Sequence, residues 1–321
     1  MKNTSKQKKR EIIPVFFAVD DCYAPYLCVA LRSLIDNSSQ KNQYQIHILI
    51  DTLSDQNRNL LSAMATENIK INFVPVAEKL KTICEKLHLR DYYTKATYYR
   101  FFVPEMFPQY DRGVYLDCDI ILTADVAALY RTPMGRNLIA AVNDEIIADI
   151  EVFARYSEQV LHISRSEYIN AGILVMNLAE MRRIEIEKQF AEMLSKRIYR
   201  VAQDQDYLNM LCHDRIHYLP LKWNKTPMPD SDRDRIPKIA HYKINFKPWK
   251  YDNVPYGDLF WQYAKQTPLY QDLLDAKNKY TDEQKKRDSM QYASLVGLAL
   301  AEISQKDNYE LETNALICVK V

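Results

Sequence analysis

Short apolar runs alternate with helix-period stretches along the first quarter of the chain. Residues 13–19 form an apolar run ending in Asp20-Asp21, the pattern of a strand buried on both faces. In 24–34, Leu27, Ala30, Leu31 and Leu34 recur at helical spacing. Residues 44–50 (YQIHILI) read as a second strand. Ser54 opens a helix carrying Leu60, Leu61 and Met64, and 69–76 reads as a third strand. This β-α-β-α-β order predicts an α/β sheet with parallel neighbours and right-handed crossovers.

The pattern continues with an aromatic-rich helix over 94–107, which Pro104 is positioned to break near its end. Strands are predicted at 113–117, 138–142 and 169–176, then a helix over 178–196, a shorter one over 206–212 and a strand at 216–219. Residues 227–237 read as a loop. The stretch 290–303 (MQYASLVGLALAEI) is apolar and helix-prone but too short to span a bilayer, so it is expected to dock on the core or a partner. No internal repeat or low-complexity linker divides the core.

Composition narrows the classes. The chain has 321 residues, 47% hydrophobic and 26% charged, which is ordinary for a globular protein and enough to bury a sizeable core. Its formal net charge of +1 argues against nucleic acid as a partner. Lys2, Lys6, Lys8, Lys9 and Arg10 mark residues 1–10 as a disordered basic tail. The N-terminus lacks an apolar secretion segment, and Cys22, Cys28, Cys84, Cys118, Cys212 and Cys318 include no C-x-x-C pair. Reduced thiols in a cytoplasmic protein are the expectation. The five glycines, at 113, 135, 172, 257 and 297, exclude a G-x-G-x-x-G turn and a Walker-type loop. Phosphates of any bound nucleotide would fall to a metal and to cationic side chains.

The densest chemistry lies in Leu116-Asp117-Cys118-Asp119-Ile120. In extended backbone, residues i and i+2 project to one side, so Asp117 and Asp119 can converge at the mouth of a buried strand. Two carboxylates there repel and resist burial, and a hard divalent cation such as Mg²⁺ or Mn²⁺ satisfies both. An edge turn bearing two solvated acids is the plainer alternative, because the motif is short.

Other segments resolve that choice together. Phe17-Ala18-Val19-Asp20-Asp21-Cys22-Tyr23, Thr97-Tyr98-Tyr99-Arg100, Tyr115-Leu116-Asp117-Cys118-Asp119, the stretch from Ile169-Asn170-Ala171-Gly172 to Leu178, Gln203-Asp204-Gln205-Asp206, and His241-Tyr242 followed by Lys247-Pro248-Trp249 occur in that order. The set, spread over roughly residues 12 to 250, resembles glycosyltransferase family 8, which includes bacterial lipopolysaccharide galactosyl- and glucosyltransferases and glycogenin.

The resemblance implies a GT-A fold over residues 11–265, with a mostly parallel central sheet flanked by helices, and a helical C-terminal extension over 266–321. It implies a retaining transferase that moves a hexose from UDP-glucose or UDP-galactose to a hydroxyl of a glycan or glycolipid, in lipopolysaccharide or surface polysaccharide synthesis. The setting is the cytoplasm, with peripheral contact at the inner face of the membrane. A UDP-sugar-binding protein without transfer activity and a UDP-sugar hydrolase are the competing readings.

Residue by residue, the resemblance makes Asp117, Asp119 and His241 the metal ligands, and an imidazole beside two carboxylates favours Mn²⁺ over Mg²⁺. Ala18, Asp20 and Tyr23 fall around the uridine, and Arg100 and Lys247 toward the donor diphosphate. Asp144, Asn170 and Asp204 match positions that hold sugar hydroxyls. Gln205 matches the residue beside the anomeric carbon, opposite the leaving group. An amide is a weak nucleophile, which favours front-face displacement with Gln205 and Asp204 stabilising positive charge. The chain departs from the family at Cys22, where Asn is usual, and at Ile244, where a small residue is common.

Overall fold

The computed structural model describes residues 10–81, 95–228 and 236–305. The basic tail up to residue 9, most of the predicted loop at 227–237, Cys84, Cys318 and the chain after 305 lie outside them.

The strands are β1 (Glu11–Ala18), β2 (Asn42–Ile50), β3 (Ile69–Pro75), β4 (Gly113–Leu116), β5 (Ile120–Leu122), β6 (Ile139–Ala141), β7 (Ile173–Met176), β8 (Ile216–Tyr218) and β9 (Ile239–His241). One sheet has the order β3-β2-β1-β4-β7-β6-β8, while β5 and β9 form a separate antiparallel ribbon. Within the large sheet, β7 runs against β4 and β6, and the other pairings are parallel. The apolar run in β1 reads continuously because both of its faces are covered. Phe16 enters one core cluster, while Val15 and Phe17 enter the other. Each fully buried side chain of that size contributes roughly 1.5–3 kcal/mol.

Several predicted elements differ in ways that shape the site. The helix expected over 94–107 is a 3-10 turn, Lys95–Phe101, followed by a short α-helix, Val103–Met106. Pro104 sits in the first turn of the second helix, where its missing N–H costs nothing, so it starts a helix instead of ending one. The tight turn also lets the Arg100 Nε donate to the Thr97 carbonyl at 2.8 Å. The 178–196 helix divides into Leu178–Arg183 and Ile186–Lys196 at Glu185, which takes a left-handed φ of 54°. The helix expected from 206 begins at Asp204, placing Gln205 in its first turn.

The 169–176 strand shortens to β7. Asn170 turns its side chain onto the Gly172 N–H at 3.0 Å, while the Gly172 carbonyl accepts from the Asp117 N–H at 2.8 Å. Helices Glu151–Val160 and Gly257–Ala264 are absent from the predicted elements, although the first buries Phe153, Ser157 and Val160 at helical spacing, and Tyr270–Asn278 falls in the expected helical extension.

The apolar stretch near the C-terminus belongs to a longer helix, Asp282–Ser304, opened by a capping box between Thr281 and Gln284. It docks on the core: Ala299 and Ile303 are buried in the cluster that holds Phe153, and Tyr292 meets the Phe153 ring edge-on. Among the described residues, no helix is long and apolar enough to cross a membrane.

Candidate active site

One cleft opens at the ends of β1 and β4. Eleven of the twelve residues singled out in the sequence line it: Ala18, Asp20, Tyr23, Arg100, Asp117, Asp119, Asp144, Asn170, Asp204, Gln205 and His241. The twelfth, Lys247, stands behind Asp119. The end of a parallel sheet is the usual location for such a cleft, because the chain diverges there to either side.

Asp117 follows the last residue of β4, and Asp119 lies in the turn before β5. Cys118 between them points the other way, with its Sγ 3.1 Å from the Ala18 carbonyl. The β5–β9 ribbon sets Ile120 opposite His241, which brings the imidazole beside Asp119. The His241 Nε2 lies 3.2 Å from Asp119 Oδ1 and 3.7 Å from Asp117 Oδ2. One ligand atom from each of the three residues fits within 4.8 Å of the others.

Two neighbours make this cluster work. The His241 Nδ1 is 2.9 Å from Asn224 Oδ1, so an Nδ1–H donated there leaves the Nε2 lone pair facing the carboxylates. A Cβ on Gly172 would stand 2.3 Å from the His241 Cε1 and 2.6 Å from Asp117 Oδ2. Only glycine leaves room for the ring and the carboxylate together. Two carboxylates with a lone-pair nitrogen form a donor set that fits a divalent ion such as Mn²⁺.

Lys247 is buried, and its Nζ sits 2.6 Å from Asp119 Oδ2 and 2.6 Å from the Tyr242 carbonyl. Burial would raise the Asp119 carboxyl, but Lys247 and His241 outweigh it and hold the group below the usual carboxylate range. Arg100 is equally committed. It reaches Asp117 Oδ1 at 3.1 Å, Asp204 Oδ2 at 3.1 Å and the Ala171 carbonyl. Burial pushes Asp204 up to about 7, with Arg100 opposing and Asp117 adding to the rise.

On the other side of the cluster, Asn170, Gln205 and Asp144 form a closed network. The Gln205 Oε1 accepts from Asn170 Nδ2 at 2.9 Å and from the Ala171 N–H at 3.0 Å, while its Nε2 donates to Asp144 Oδ2 at 3.1 Å. Asp144 also caps the helix Glu145–Asp149. Burial opposes its charge, yet Lys243, Asn170, the Ile146 N–H and Gln205 together keep its carboxyl below the ordinary value. Asp20 accepts from the Tyr23 N–H at 2.9 Å and so fixes the turn that leads into the helix Ala24–Asp36.

Of the two departures, Cys22 is exposed and outside the cleft lining. Ile244 lines the cleft with φ 55°, a left-handed conformation that costs a β-branched residue about 1–3 kcal/mol. Glycine would take it without strain, which accounts for small residues there. Sequence reasoning missed Asn224, Lys243 and the spatial role of Gly172. Asn224 and Lys243 sit in irregular segments that carry no periodic signal.

Comparison with known proteins agrees with this fold. The family described as Glycosyl transferase family 8 matches residues 14–253. The lipopolysaccharide 1,2-glucosyltransferase of Escherichia coli is 26% identical over 234 residues, covering 70% of this chain and 65% of that enzyme. General stress protein A of Bacillus subtilis is 24% identical, covering 68% of this chain and 75% of that protein. Among solved structures, the galactosyltransferase LgtC, in complex with donor and acceptor sugar analogues, superposes with a TM-score of 0.67 at 27% identity. That match covers 80% of this chain and 96% of LgtC. The bifunctional WbbM glycosyltransferase gives a TM-score of 0.74 at 26% identity, covering 84% of this chain and 52% of WbbM. The chain thus spans less than two thirds of the length of several relatives it matches.

Proposed function

The chain belongs to glycosyltransferase family 8 and has the GT-A fold, and on that premise we propose that it is a retaining, metal-dependent hexosyltransferase. The donor in this reading is UDP-glucose or UDP-galactose. The acceptor is a hydroxyl of a glycan or glycolipid in lipopolysaccharide or surface polysaccharide synthesis, as the kinship with the E. coli enzyme suggests. In this reading residues 11–265 carry the reaction, and the extension that follows contributes the helices Tyr270–Asn278 and Asp282–Ser304 within the described residues. The reading sets the protein in the cytoplasm, at the inner face of the membrane, where a glycolipid acceptor would be presented.

The observation that carries it is the convergence of Asp117, Asp119 and His241 beside the Asn170–Gln205–Asp144 network in one cleft. Mn²⁺ held by the three ligands would supply Lewis-acid relief of charge on the departing diphosphate. The uridine would lie against Tyr23, near Ala18 and Asp20. Lys247 offsets the charge of Asp119, and Arg100 fixes Asp117 and Asp204 at the donor side. Asp144, Asn170 and Asp204 would hold the sugar's hydroxyls and so orient its anomeric carbon.

Gln205 supports front-face displacement. Its Oε1 already accepts two hydrogen bonds, which weakens it as a nucleophile but leaves its dipole fixed. In that step the acceptor oxygen bonds to the anomeric carbon as the bond to the phosphate oxygen breaks. The departing phosphate oxygen takes the acceptor's proton, and Gln205 with Asp204 stabilises the positive charge between them.

Release of UDP from a panel of nucleotide-sugars, with Mn²⁺ and with chelator, tests the reading. Metal-dependent release from UDP-glucose or UDP-galactose is expected. Absence of release together with absence of UDP binding overturns it.

A further inference from the structure

Lys243 is a second fixed cation on the cleft wall, and nothing in the metal cluster uses it. Among the residues lining the cleft, Arg100 and Lys243 are the arginine and lysine side chains. Each nitrogen of the Arg100 guanidinium is engaged, on Asp117, Asp204, and the Thr97 and Ala171 carbonyls. Lys243 differs. Its side chain is only 7% exposed, yet among the described residues its ammonium meets one acceptor, Asp144 Oδ1 at 3.5 Å.

That carboxylate is already satisfied. Its Oδ1 accepts from the Ile146 and Ile147 N–H groups, and its Oδ2 from Asn170 Nδ2 and Gln205 Nε2. An ammonium has three donors, and Lys243 spends one of them on the longest contact Asp144 makes. Asp144 balances its charge, but two of its three donors are left to a further acceptor.

The surroundings indicate which ligand would supply it. Lys243 lines the same cleft as the apolar side chains Ile146, Ile147, Phe153, Ile244 and Leu295. Leu295 comes from the helix Asp282–Ser304, and Asp144, the partner of Lys243, stands at the opposite end from His241 of a bonded chain that runs through Asn170 and Asn224. Arg100 is fully committed within this lining, so Lys243 is the buried cation of the cleft with donors to spare.

We propose that Lys243 recognises a negatively charged group, a phosphate or carboxylate, on the sugar that accepts the transferred hexose. This rests on the transferase reading above and specifies the acceptor class for the same site. The apolar neighbours exclude water and strengthen the contact, while Asp144 holds the ammonium in place.

The test titrates glucose, glucuronate and glucose 6-phosphate into the full chain already loaded with UDP and Mn²⁺, so that the donor diphosphate site is filled. At least one of the two anionic sugars should bind roughly ten- to hundredfold more tightly than glucose, the range of a charge-assisted hydrogen bond. Lys243→Met should abolish the difference, Lys243→Arg should keep most of it, and UDP affinity should stay within about twofold in both variants. Equal affinity for the three sugars, no binding by any of them, or a preference unchanged in Lys243→Met overturns the proposal. A tenfold loss of UDP affinity in Lys243→Met also overturns it, by assigning the lysine to the donor. Failure of UDP and Mn²⁺ to bind in the loading step instead overturns the transferase reading, and the inference with it.

Discussion

The Nδ1 of His241 stands 2.9 Å from the Oδ1 of Asn224, whose Nδ2 donates in turn to Asn170 Oδ1 at 2.8 Å. The buried Asn224 amide thus ties the Asp117–Asp119–His241 cluster to the Asn170–Gln205–Asp144 network. Its orientation is fixed at both ends, since the oxygen faces the imidazole and the nitrogen faces an acceptor.

Replacing Asn224 by alanine should free the imidazole to rotate and to change tautomer. Partners of this kind are typically worth 10- to 100-fold in metal affinity or activity. We expect Asn224→Ala to weaken Mn²⁺ binding by about that factor, read by titrating the metal dependence of UDP binding. Unchanged Mn²⁺ affinity would show that Asn224 does not orient the ligand.

Gly172→Ala tests the space around the cluster. The added methyl would collide with the His241 ring and the Asp117 carboxylate, both needed in their present positions. Overpacking of this sort costs about 1–3 kcal/mol of stability. The larger effect should be on metal binding, which we expect to be lost while the fold survives. Circular dichroism and Mn²⁺ titration of the same sample distinguish the two, and a variant with native metal affinity would refute the steric argument.

The acidic pair shows how far the sequence reaches into this site. The apolar flanks and the i, i+2 spacing suffice to predict that Asp117 and Asp119 face one point, and they do, with Cys118 turned into the core. His241 is a different case, since its place depends on β5 pairing with β9 across more than a hundred residues. Those strands are three residues long, too short for a period of two to register. The resemblance supplied His241 where the pattern could not. Neither route exposed Asn224 or Lys243, because a loop side chain is positioned by tertiary contacts that leave no local trace. The Arg100 turn was legible in composition but not in geometry, since its 3-10 form serves the arginine's own reach to Thr97.

Asp206 gives a prediction in pH. Its carboxylate is buried beneath Gln205, accepting from Tyr168 at 2.6 Å, Tyr156 at 2.9 Å and the Ala202 N–H at 2.9 Å. Burial pushes it up to about 6 from an ordinary 3.8, with those hydrogen bonds opposing the shift. The folded state therefore holds a proton that the unfolded chain releases between about pH 4 and 6. This stabilising contribution is complete below the unfolded value and lost as pH rises through the folded one, on the order of 3 kcal/mol in all. Asp206→Asn is neutral throughout. Its stability relative to the native chain should rise by that amount from about pH 4 to pH 7 in urea titrations. A difference independent of pH would mean that Asp206 does not titrate in this window.

Lys247 decides how the fold responds to loss of the Asp119 charge. Considered as two acids side by side, Asp117 and Asp119 repel, and neutralising one should relieve the fold. The structure reverses that expectation, because Asp119 Oδ2 lies 2.6 Å from an ammonium whose side chain is only 3% exposed. Asp119→Asn would leave Lys247 with the Tyr242 carbonyl and no counter-ion there. Breaking a buried pair from one side costs about 3–5 kcal/mol, whereas replacing both partners with uncharged groups is often close to neutral. Asp119→Asn should therefore be strongly destabilised in metal-free urea unfolding, and adding Lys247→Met should restore most of the loss without restoring UDP release. A single variant as stable as the native chain would show that repulsion between the acids outweighs the pair with Lys247. A double variant no better than the single would show that Lys247 stabilises the fold through contacts other than its pair with Asp119, such as its cation–π approach to the Tyr23 and Trp249 rings, 5.9 Å and 5.4 Å from its Nζ.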